Sequence, residues 1–241
     1  MLIVENVTMR FGGLVALNKI SLQIKEKEIV GIIGPNGSGK TTLFNCVSGV
    51  YSPGSGRIIY RDHDITRLGP EKIFRLGIGR TFQNIRIFQD MTVLENVMVG
   101  ALFGRNRNIT MNEAREKALY WLEFVGLKNK KDMLAKDLPL AQKKLIEIAR
   151  VLAANPELVL FDEPLAGLNP EELSFAVKTI KRVRDELGIT VVWVEHILRA
   201  LMKAVDRVIV LHHGEKIAEG SPQEIVNSPR VIEVYLGKKR A

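Results

Sequence analysis

A glycine-rich stretch near the N-terminus lies between a run of apolar residues and a segment with a helical pattern. The apolar run Ile29–Ile33 predicts a buried strand, and residues 42–47 predict the start of a helix. In this context the spacing G-x-x-x-x-G-K-[ST] is typical of a phosphate-binding loop, because glycines let backbone N–H groups face a phosphate. The sequence therefore predicts binding of a nucleoside triphosphate. The predicted contact residues are Gly34, Pro35, Asn36, Gly37, Ser38, Gly39, Lys40, Thr41 and Thr42.

Four polar side chains carry predicted roles around that nucleotide. The Lys40 ammonium would reach the β- and γ-phosphates, and the Thr41 hydroxyl would hold Mg²⁺. A second apolar run, at 158–161, ends in two carboxylates, Asp162 and Glu163. Acids at the end of a buried strand are costly unless they serve a purpose. We expect Asp162 to bind Mg²⁺ and Glu163 to be the general base that polarises a water, the alternative being a strand that ends in a polar turn.

Composition narrows the class of protein. With 46% hydrophobic and 26% charged residues, the 241-residue chain has the balance of a globular domain. No apolar run approaches the length of a membrane span, and the N-terminus lacks the pattern of a secretory signal. The single cysteine, Cys46, allows no internal disulfide, which fits a reducing cytosol. We expect Cys46 to be a small buried side chain rather than a reactive thiol.

The net charge of +8 raises the question of an acidic partner. The basic residues are scattered, and their densest tracts lie at 128–131 and 238–240. Neither tract carries the interleaved aromatic residues of a single-strand binder. The basic residues are therefore best explained as part of a solvated surface, and no nucleic-acid partner is predicted.

The spacing of apolar residues predicts an α/β fold. Residues 2–8, 20–24 and 57–60 predict short strands of antiparallel type. Residues at about 90–150 predict a helical subdomain, which includes a capping-box match at Thr110. Strands alternating with helices then return, as in an α/β core. The later predicted elements are strands at 158–161, 190–194, 208–211 and 216–218, a helix from about 142 to 154, and a helix capped by Asn169.

Further residues complete a pattern that extends along the chain. Gln83 follows the loop, the segment at 166–169 follows the acid pair, and His196 follows a later strand. Together with Phe11 near the start, their order and spacing resemble the ATP-binding subunits of ABC transporters over essentially the whole chain. The resemblance implies one ABC ATPase domain at 1–241. It also implies a RecA-like P-loop core with an N-terminal antiparallel β subdomain and an inserted α-helical subdomain.

The resemblance implies a role for each of these residues. Phe11 would stack on adenine, and His196 would contact the γ-phosphate. Gln83 would sense Mg²⁺ and the γ-phosphate and would begin the segment that touches a membrane subunit. Taken singly, each has an ordinary structural explanation, such as packing or a surface hydrogen bond. With ATP and Mg²⁺ as the implied cofactors, the metal ligands are Thr41, Gln83 and Asp162, and the catalytic residues are Glu163, His196, Lys40 and Gln83.

The chain departs from the family at the dimer signature, which usually reads Leu-Ser-Gly-Gly-Gln. Pro139 has neither a hydroxyl nor a backbone N–H for the γ-phosphate held by the opposite subunit, and Leu140 adds bulk there. Asn169 stands where aspartate is common, which removes a charge but keeps a helix cap. We therefore predict an ATP-bound dimer weaker than is usual in the family. The signature positions here are Leu138, Pro139, Leu140, Ala141 and Gln142.

Within the family, residues 77–88 and 91–97 look most like the ATP-binding subunits of branched-chain amino-acid importers. That resemblance implies a peripheral subunit at the cytoplasmic face of the cell membrane that energises import of a small polar solute. The implied partners are integral membrane permease subunits and a second ATPase subunit, identical or not. A periplasmic or extracellular solute-binding protein would take part indirectly.

Three other functions stay open at this point. One is a soluble ABC-type ATPase acting on nucleic acid or ribosomes, although such proteins usually fuse two cassettes or insert long coiled coils. A second is a small-molecule kinase, which would need an acceptor pocket and has no use for a water-activating Glu163. The third is a weakly hydrolysing regulatory subunit paired with a second ATPase, suggested by the altered signature.

Overall fold

The computed structural model describes residues 1–105 and 109–236, apart from the side chain of Leu236. The basic tract at 238–240 lies outside the described residues. The chain forms two compact units, the first of Met1–Ile73 with Thr190–Ala241 and the second of Phe74–Ile189. The single domain expected at 1–241, with a helical part at about 90–150, stays a prediction. Across the described ranges, no helix combines the length and apolarity needed to cross a bilayer.

The strands and helices of the described ranges are numbered separately in chain order. The strands are β1 (Leu2–Phe11), β2 (Leu14–Ile24), β3 (Ile29–Ile33), β4 (Ser55–Tyr60), β5 (His63–Asp64), β6 (Ile78–Arg80), β7 (Leu158–Asp162), β8 (Thr190–Val194), β9 (Arg207–His212) and β10 (Glu215–Gly220). The helices are α1 (Lys40–Val47), α2 (Pro70–Leu76), α3 (Val93–Phe103), α4 (Met111–Phe124), α5 (Leu140–Ala153), α6 (Pro170–Asp185), α7 (Leu198–Leu201), α8 (Pro222–Val226) and α9 (Pro229–Leu236). Two 3₁₀ turns, Lys128–Lys130 and Ala135–Asp137, precede α5.

The first unit contains an antiparallel sheet with the strand order β2-β1-β4-β5. Strands β1 and β2 bury side chains such as Val4 and Ile20, since successive residues of a strand face opposite sides of the sheet. Both strands extend beyond the ranges predicted from the sequence, up to Phe11 and from Leu14. The expected N-terminal antiparallel strands are therefore confirmed.

The first unit also contains the strands that carry the phosphate loop, in the order β10-β9-β3-β8. Strand β3 pairs in parallel with both β8 and β9, and all residues of β3 and β8 are buried. Burial on both faces explains why these strands are continuous apolar runs. At Gly31 a Cβ would lie 2.6 Å from Leu201 Cδ2, so glycine permits close packing beneath the loop.

The second unit combines the parallel pair β6 and β7 with α3, α4, α5 and α6. Capping boxes begin three of these helices, at Thr92, Thr110 and Asn169. The caps expected at Thr110 and Asn169 are confirmed. Helix α5 begins at Leu140, about two residues earlier than predicted. Pro139 is extended, with ψ of 158°, and the helix follows it directly.

Candidate active site

The phosphate loop leaves the carboxyl end of β3 and leads into α1. Gly37 and Gly39 have φ angles of 75° and 105°, which glycine adopts readily. A Cβ at Gly34 would lie 2.2 Å from the Leu211 carbonyl oxygen, and one at Gly39 would lie 2.8 Å from that of Ala16. The loop therefore needs glycine at both positions.

Polar groups of this loop are buried within it. Lys40 is 5% exposed, and its Nζ donates to the carbonyl oxygens of Gly34 at 2.7 Å and Pro35 at 3.0 Å. The Ser38 hydroxyl is buried and forms no hydrogen bond with any residue that the structure describes. A buried hydroxyl of this kind calls for a partner, and a phosphate oxygen beside the lysine would supply one. The loop thus fits a nucleoside triphosphate.

The start of α1 adds to this anion site. Its N-cap residue is Gly39, and no described side chain caps the helix there, so the first backbone N–H groups face outward from the helix end. Thr41, the expected Mg²⁺ ligand, is exposed in the first turn.

Phe11 lies at the end of β1, in the first unit, with 42% of its surface exposed. Its ring meets the ring of Tyr51 edge to face, with centroids 5.3 Å apart. The ring of Phe11 is thus partly exposed, and its stacking on adenine stays a prediction. Tyr51 was not identified from the sequence, because its contact with Phe11 arises only through the fold.

Asp162 ends β7 in the second unit and is 1% exposed. Its Oδ2 accepts a hydrogen bond from Arg80 Nη2 at 2.8 Å, and its backbone N–H donates to Thr81 Oγ1 at 3.3 Å. Arg80 is the last residue of β6, which runs parallel to β7, so both side chains belong to the carboxyl ends of adjacent strands. Sequence reasoning missed this ion pair, although Arg80 stands three residues before the predicted site residue Gln83.

Glu163 follows directly and has a left-handed backbone with φ of 52°. Its carboxylate is held by a hydrogen bond from Gln83 Nε2 to Glu163 Oε2 at 3.0 Å. The structure therefore brings together two residues whose connection the sequence could only imply. A non-glycine residue in this conformation costs roughly 1–3 kcal/mol and persists where its surroundings impose it, often at functional sites.

His196 lies just after β8 in the first unit, and its side chain is exposed. The turn that places it is built by Glu195, which is 2% exposed. Glu195 Oε2 accepts hydrogen bonds from the backbone N–H groups of His196 at 2.8 Å and Ile197 at 3.4 Å. Like Tyr51 and Arg80, Glu195 could not be identified from the sequence, because its role depends on the turn that the fold builds.

The signature positions lie at the start of α5 in the second unit. Leu138 is buried, whereas Leu140 is 49% exposed in the first turn. Pro139 is the N-cap and provides no side-chain hydrogen bond to the helix end. Gln142 Oε1 accepts a hydrogen bond from Lys130 Nζ at 2.8 Å. The positions that depart from the expected signature, Pro139 and Leu140, thus lie at the N-terminal end of α5.

These features define a class of protein. A glycine loop between a buried parallel strand and a helix, in a chain with an acid pair at the end of another parallel strand, is the arrangement of a P-loop nucleoside triphosphatase. Comparison with known proteins narrows that class. A family model described as ABC transporter matches residues 17–166. Another, described as branched-chain amino acid ATP-binding cassette transporter, matches residues 215–241.

Individual proteins give the same result. The chain is 40% identical over 250 residues to the high-affinity branched-chain amino acid transport ATP-binding protein LivG of Salmonella typhimurium, covering 99% of this chain and 98% of LivG. It resembles the ADP conformation of the ATP-binding cassette MJ1267 with a TM-score of 0.89, 33% identity and 99% coverage of both chains. The dimeric structure of the bacterial cassette MJ0796 gives a TM-score of 0.84 at 30% identity, covering 92% of this chain and 99% of that one.

This chain belongs to the ABC transporter family, as one of its ATP-binding subunits. The resemblance inferred from the sequence is confirmed, together with the P-loop fold, its antiparallel β subdomain and its helical insertion. ATPase activity follows from the family, and the small-molecule kinase is no longer a candidate. The roles of individual site residues, and Mg²⁺ as a cofactor, stay predictions.

Proposed function

We propose that this subunit hydrolyses ATP with Mg²⁺ to energise the import of branched-chain amino acids through a membrane permease. The observation that carries the chemistry is the Gln83–Glu163 hydrogen bond after β7, in a chain with a complete phosphate loop. The choice of solute is supported by the relative LivG, a branched-chain amino acid transport protein.

The phosphate loop would bind the nucleotide through its backbone N–H groups, the Ser38 hydroxyl and the Lys40 ammonium. Thr41, Gln83 and Asp162 offer a hydroxyl, an amide and a carboxylate oxygen, which are ligand types suited to Mg²⁺. Magnesium bound there would neutralise charge on the β- and γ-phosphates. Phe11 would stack on the adenine ring.

Hydrolysis would use a water placed opposite the bond between the β- and γ-phosphates. Glu163 accepts a proton as the water oxygen attacks the γ-phosphorus, and the β-phosphate oxygen of ADP leaves. Gln83 holds the Glu163 carboxylate in place, while Lys40 and His196 stabilise the charge that develops on the transferred group.

A second ATPase subunit, identical or not, would supply its signature helix to the nucleotide held here, and α5 of this chain would serve the partner in return. The segment after Gln83 would carry the resulting motion to permease subunits at the cytoplasmic face of the membrane. A periplasmic or extracellular solute-binding protein would deliver the amino acid.

A Glu163→Gln variant tests the chemical role. We expect it to bind ATP with unchanged affinity and to hydrolyse it at least about 100-fold more slowly, since a general base contributes factors of that order. Glu123→Gln, on an exposed pair with Lys128, is the matched control and should keep full activity. Normal turnover by Glu163→Gln would remove Glu163 from the mechanism.

The solute is tested on the transporter isolated from membranes with the partners that copurify, in the presence of its solute-binding protein. Leucine, isoleucine and valine should stimulate its ATPase rate, whereas lysine and glutamate should not. Equal stimulation by all five amino acids, or by none, would contradict the proposed solute.

The exposed Leu140 and the N-cap Pro139 favour a second candidate, a pair of non-identical ATPases in which only one of the two nucleotides is hydrolysed quickly. Because α5 of this chain would serve the nucleotide held by the partner, the altered signature would slow hydrolysis at the partner's phosphate loop. In that case Glu163→Gln would abolish most of the ATPase rate of the copurified complex, and substitution of the corresponding glutamate in the second ATPase would leave that rate nearly unchanged.

A further inference from the structure

Lys144 is a buried cation in the second turn of α5, with 8% of its surface exposed. Its Nζ donates to the carbonyl oxygen of Ala166 at 2.7 Å and to that of Glu163 at 3.2 Å. Burial of an ammonium is costly unless its donors are satisfied. Here two of its bonds go to the main chain, at the first and last residues of one turn.

That turn determines where the Glu163 carboxylate lies. Glu163 has a φ of 52°, and its carbonyl oxygen also accepts the Ala166 N–H at 3.4 Å. Left-handed backbone is unfavourable for a residue with a Cβ, so the surroundings must hold it there. The bonds from Lys144 connect both ends of the turn to α5, and they thereby hold Glu163 in this conformation.

A second contact joins the same two segments. Leu140 lies four residues before Lys144 and therefore on the same face of α5. A Cβ at Gly167 would lie 3.0 Å from Leu140 Cδ2, which places the leucine directly against the end of the turn. The signature helix and the turn after β7 are thus connected through both a buried cation and an apolar side chain.

We propose that Lys144 is a positioning residue for ATP hydrolysis, which holds the turn 163–166 against α5 so that Glu163 keeps its place. The proposal rests on the role of Glu163 proposed above. A residue with this role does not contact the nucleotide, so Lys144 affects the rate of hydrolysis and not the affinity for ATP.

The test compares Lys144→Met with Lys144→Arg in the full chain, copurified with its partners. For Lys144→Met we expect kcat to fall about 10- to 100-fold, as for other small misplacements of a catalytic group. The Kd for ATP, measured in the Glu163→Gln background with a fluorescent ATP analogue, should change less than about twofold. Arginine can donate to two carbonyl oxygens and should restore most of the rate.

Lys178→Met is the matched control, because it makes the same change on an exposed position of α6. Its kcat should equal that of the unaltered chain. Lys144→Gln, whose shorter neutral side chain keeps an amide donor in place of the ammonium, replaces the methionine variant if that one does not fold, and a smaller fall in kcat, still beyond about twofold, is expected at unchanged Kd.

Three results would overturn the proposal. A Lys144→Met variant that keeps its kcat within about twofold, while Glu163→Gln is inactive, would refute the role of Lys144 and leave the proposed function intact. Parallel losses of kcat, ATP affinity and thermal midpoint would make Lys144 a purely structural residue. Normal turnover by Glu163→Gln would instead refute the proposed function, and this inference with it.

Discussion

Arg80 and Asp162 form an ion pair whose side chains are only 6% and 1% exposed. Two charges removed from water are stable only together, because each loses its hydration. The guanidinium also lies 5.0 Å from the centroid of the Phe82 ring. The carboxylate expected to bind Mg²⁺ thus has, as its buried ionic partner, an arginine at the end of the neighbouring strand.

We predict that Arg80→Met lowers the free energy of unfolding by about 3–5 kcal/mol, the usual cost of deleting one partner of a buried pair. Urea denaturation monitored by circular dichroism measures this. Arg80→Lys keeps the charge and should lose less. A change below about 0.5 kcal/mol in the methionine variant would show that the pair contributes little.

Cys46 is buried in α1, and burial raises the pKa of its thiol to about 11. Because the thiolate is the reactive form, only about one thiol in a thousand would be ionised at about pH 8. We predict that a thiol reagent such as DTNB labels the native chain far more slowly than the chain unfolded in guanidinium. Complete labelling of the native protein within minutes would contradict this.

At the scale of secondary-structure elements, Arg207 joins several strands of the first unit. It begins β9 and makes a bidentate pair with Glu28, with N–O distances of 2.8 and 2.9 Å. It also donates to the Gln23 carbonyl oxygen at 2.7 Å and pairs with Glu219 on β10. Burial raises the pKa of Glu28, but the bonds and charges of Arg207 and Lys25 outweigh it, so the net pKa is lowered.

Because the pKa of Glu28 is lowered, the stabilisation of the folded state by the Arg207–Glu28 pair depends on pH. Its stabilisation is complete above the unfolded pKa of about 4.3 and is lost as the pH falls through the lower folded value. We predict that Arg207→Met costs about 2 kcal/mol of unfolding free energy near neutral pH, less than for a fully buried pair. The difference from the unaltered chain should shrink below about pH 4.

Urea denaturation across that pH range provides the measurement. Arg57→Met, in an exposed pair with Glu5, is the control and should cost no more than about 1 kcal/mol. A difference for Arg207→Met that stays constant down to about pH 3 would contradict the assignment to Glu28.

The longer strands and helices could be predicted from the sequence, whereas the shortest could not. The apolar run Ile29–Ile33 and the capped helices after Thr110 and Asn169 could be predicted, because burial and caps depend on neighbouring residues. The three-residue strand β6 was not predicted. Its residues form a strand only because β7 lies beside them, and a run that short has no periodicity of its own.

At the scale of the whole molecule, the altered signature at Pro139 and Leu140 bears on how tightly two ATPase subunits form a dimer. A family member of known structure is a dimer. We predict that replacing Pro139 with serine and Leu140 with glycine strengthens the ATP-bound dimer of this chain. One bond to a charged group is worth about 1.5–3 kcal/mol, and a dimer of two such chains would regain one at each of its two signature helices, so its Kd should fall by about 100-fold or more.

Sedimentation with ATP in the Glu163→Gln background measures that affinity without turnover. Pro139→Ala is the control, because it restores the backbone N–H but no hydroxyl, and it should give a smaller gain. Equal dimer affinities for the double variant and the unaltered chain would show that the signature departures do not limit assembly.

The sequence alone determined those features that depend on residues close together in the chain. The phosphate loop, the acid pair after β7 and the helix caps depend on residues within a few positions of one another, and their spacing specifies what they can bind or stabilise. The family could also be inferred, since the order of such motifs along the chain is a property of the sequence.

Only the tertiary structure decided which distant residues support that chemistry. Arg80 meets Asp162 across 82 positions, Lys144 reaches the turn after Glu163, and Arg207 joins Glu28 across 179 positions. None of these contacts has a local signal, because each exists only once strand pairing and helix packing have brought the side chains together. Burial then decides their strength, as desolvation makes each charge depend on the partner that the fold supplies.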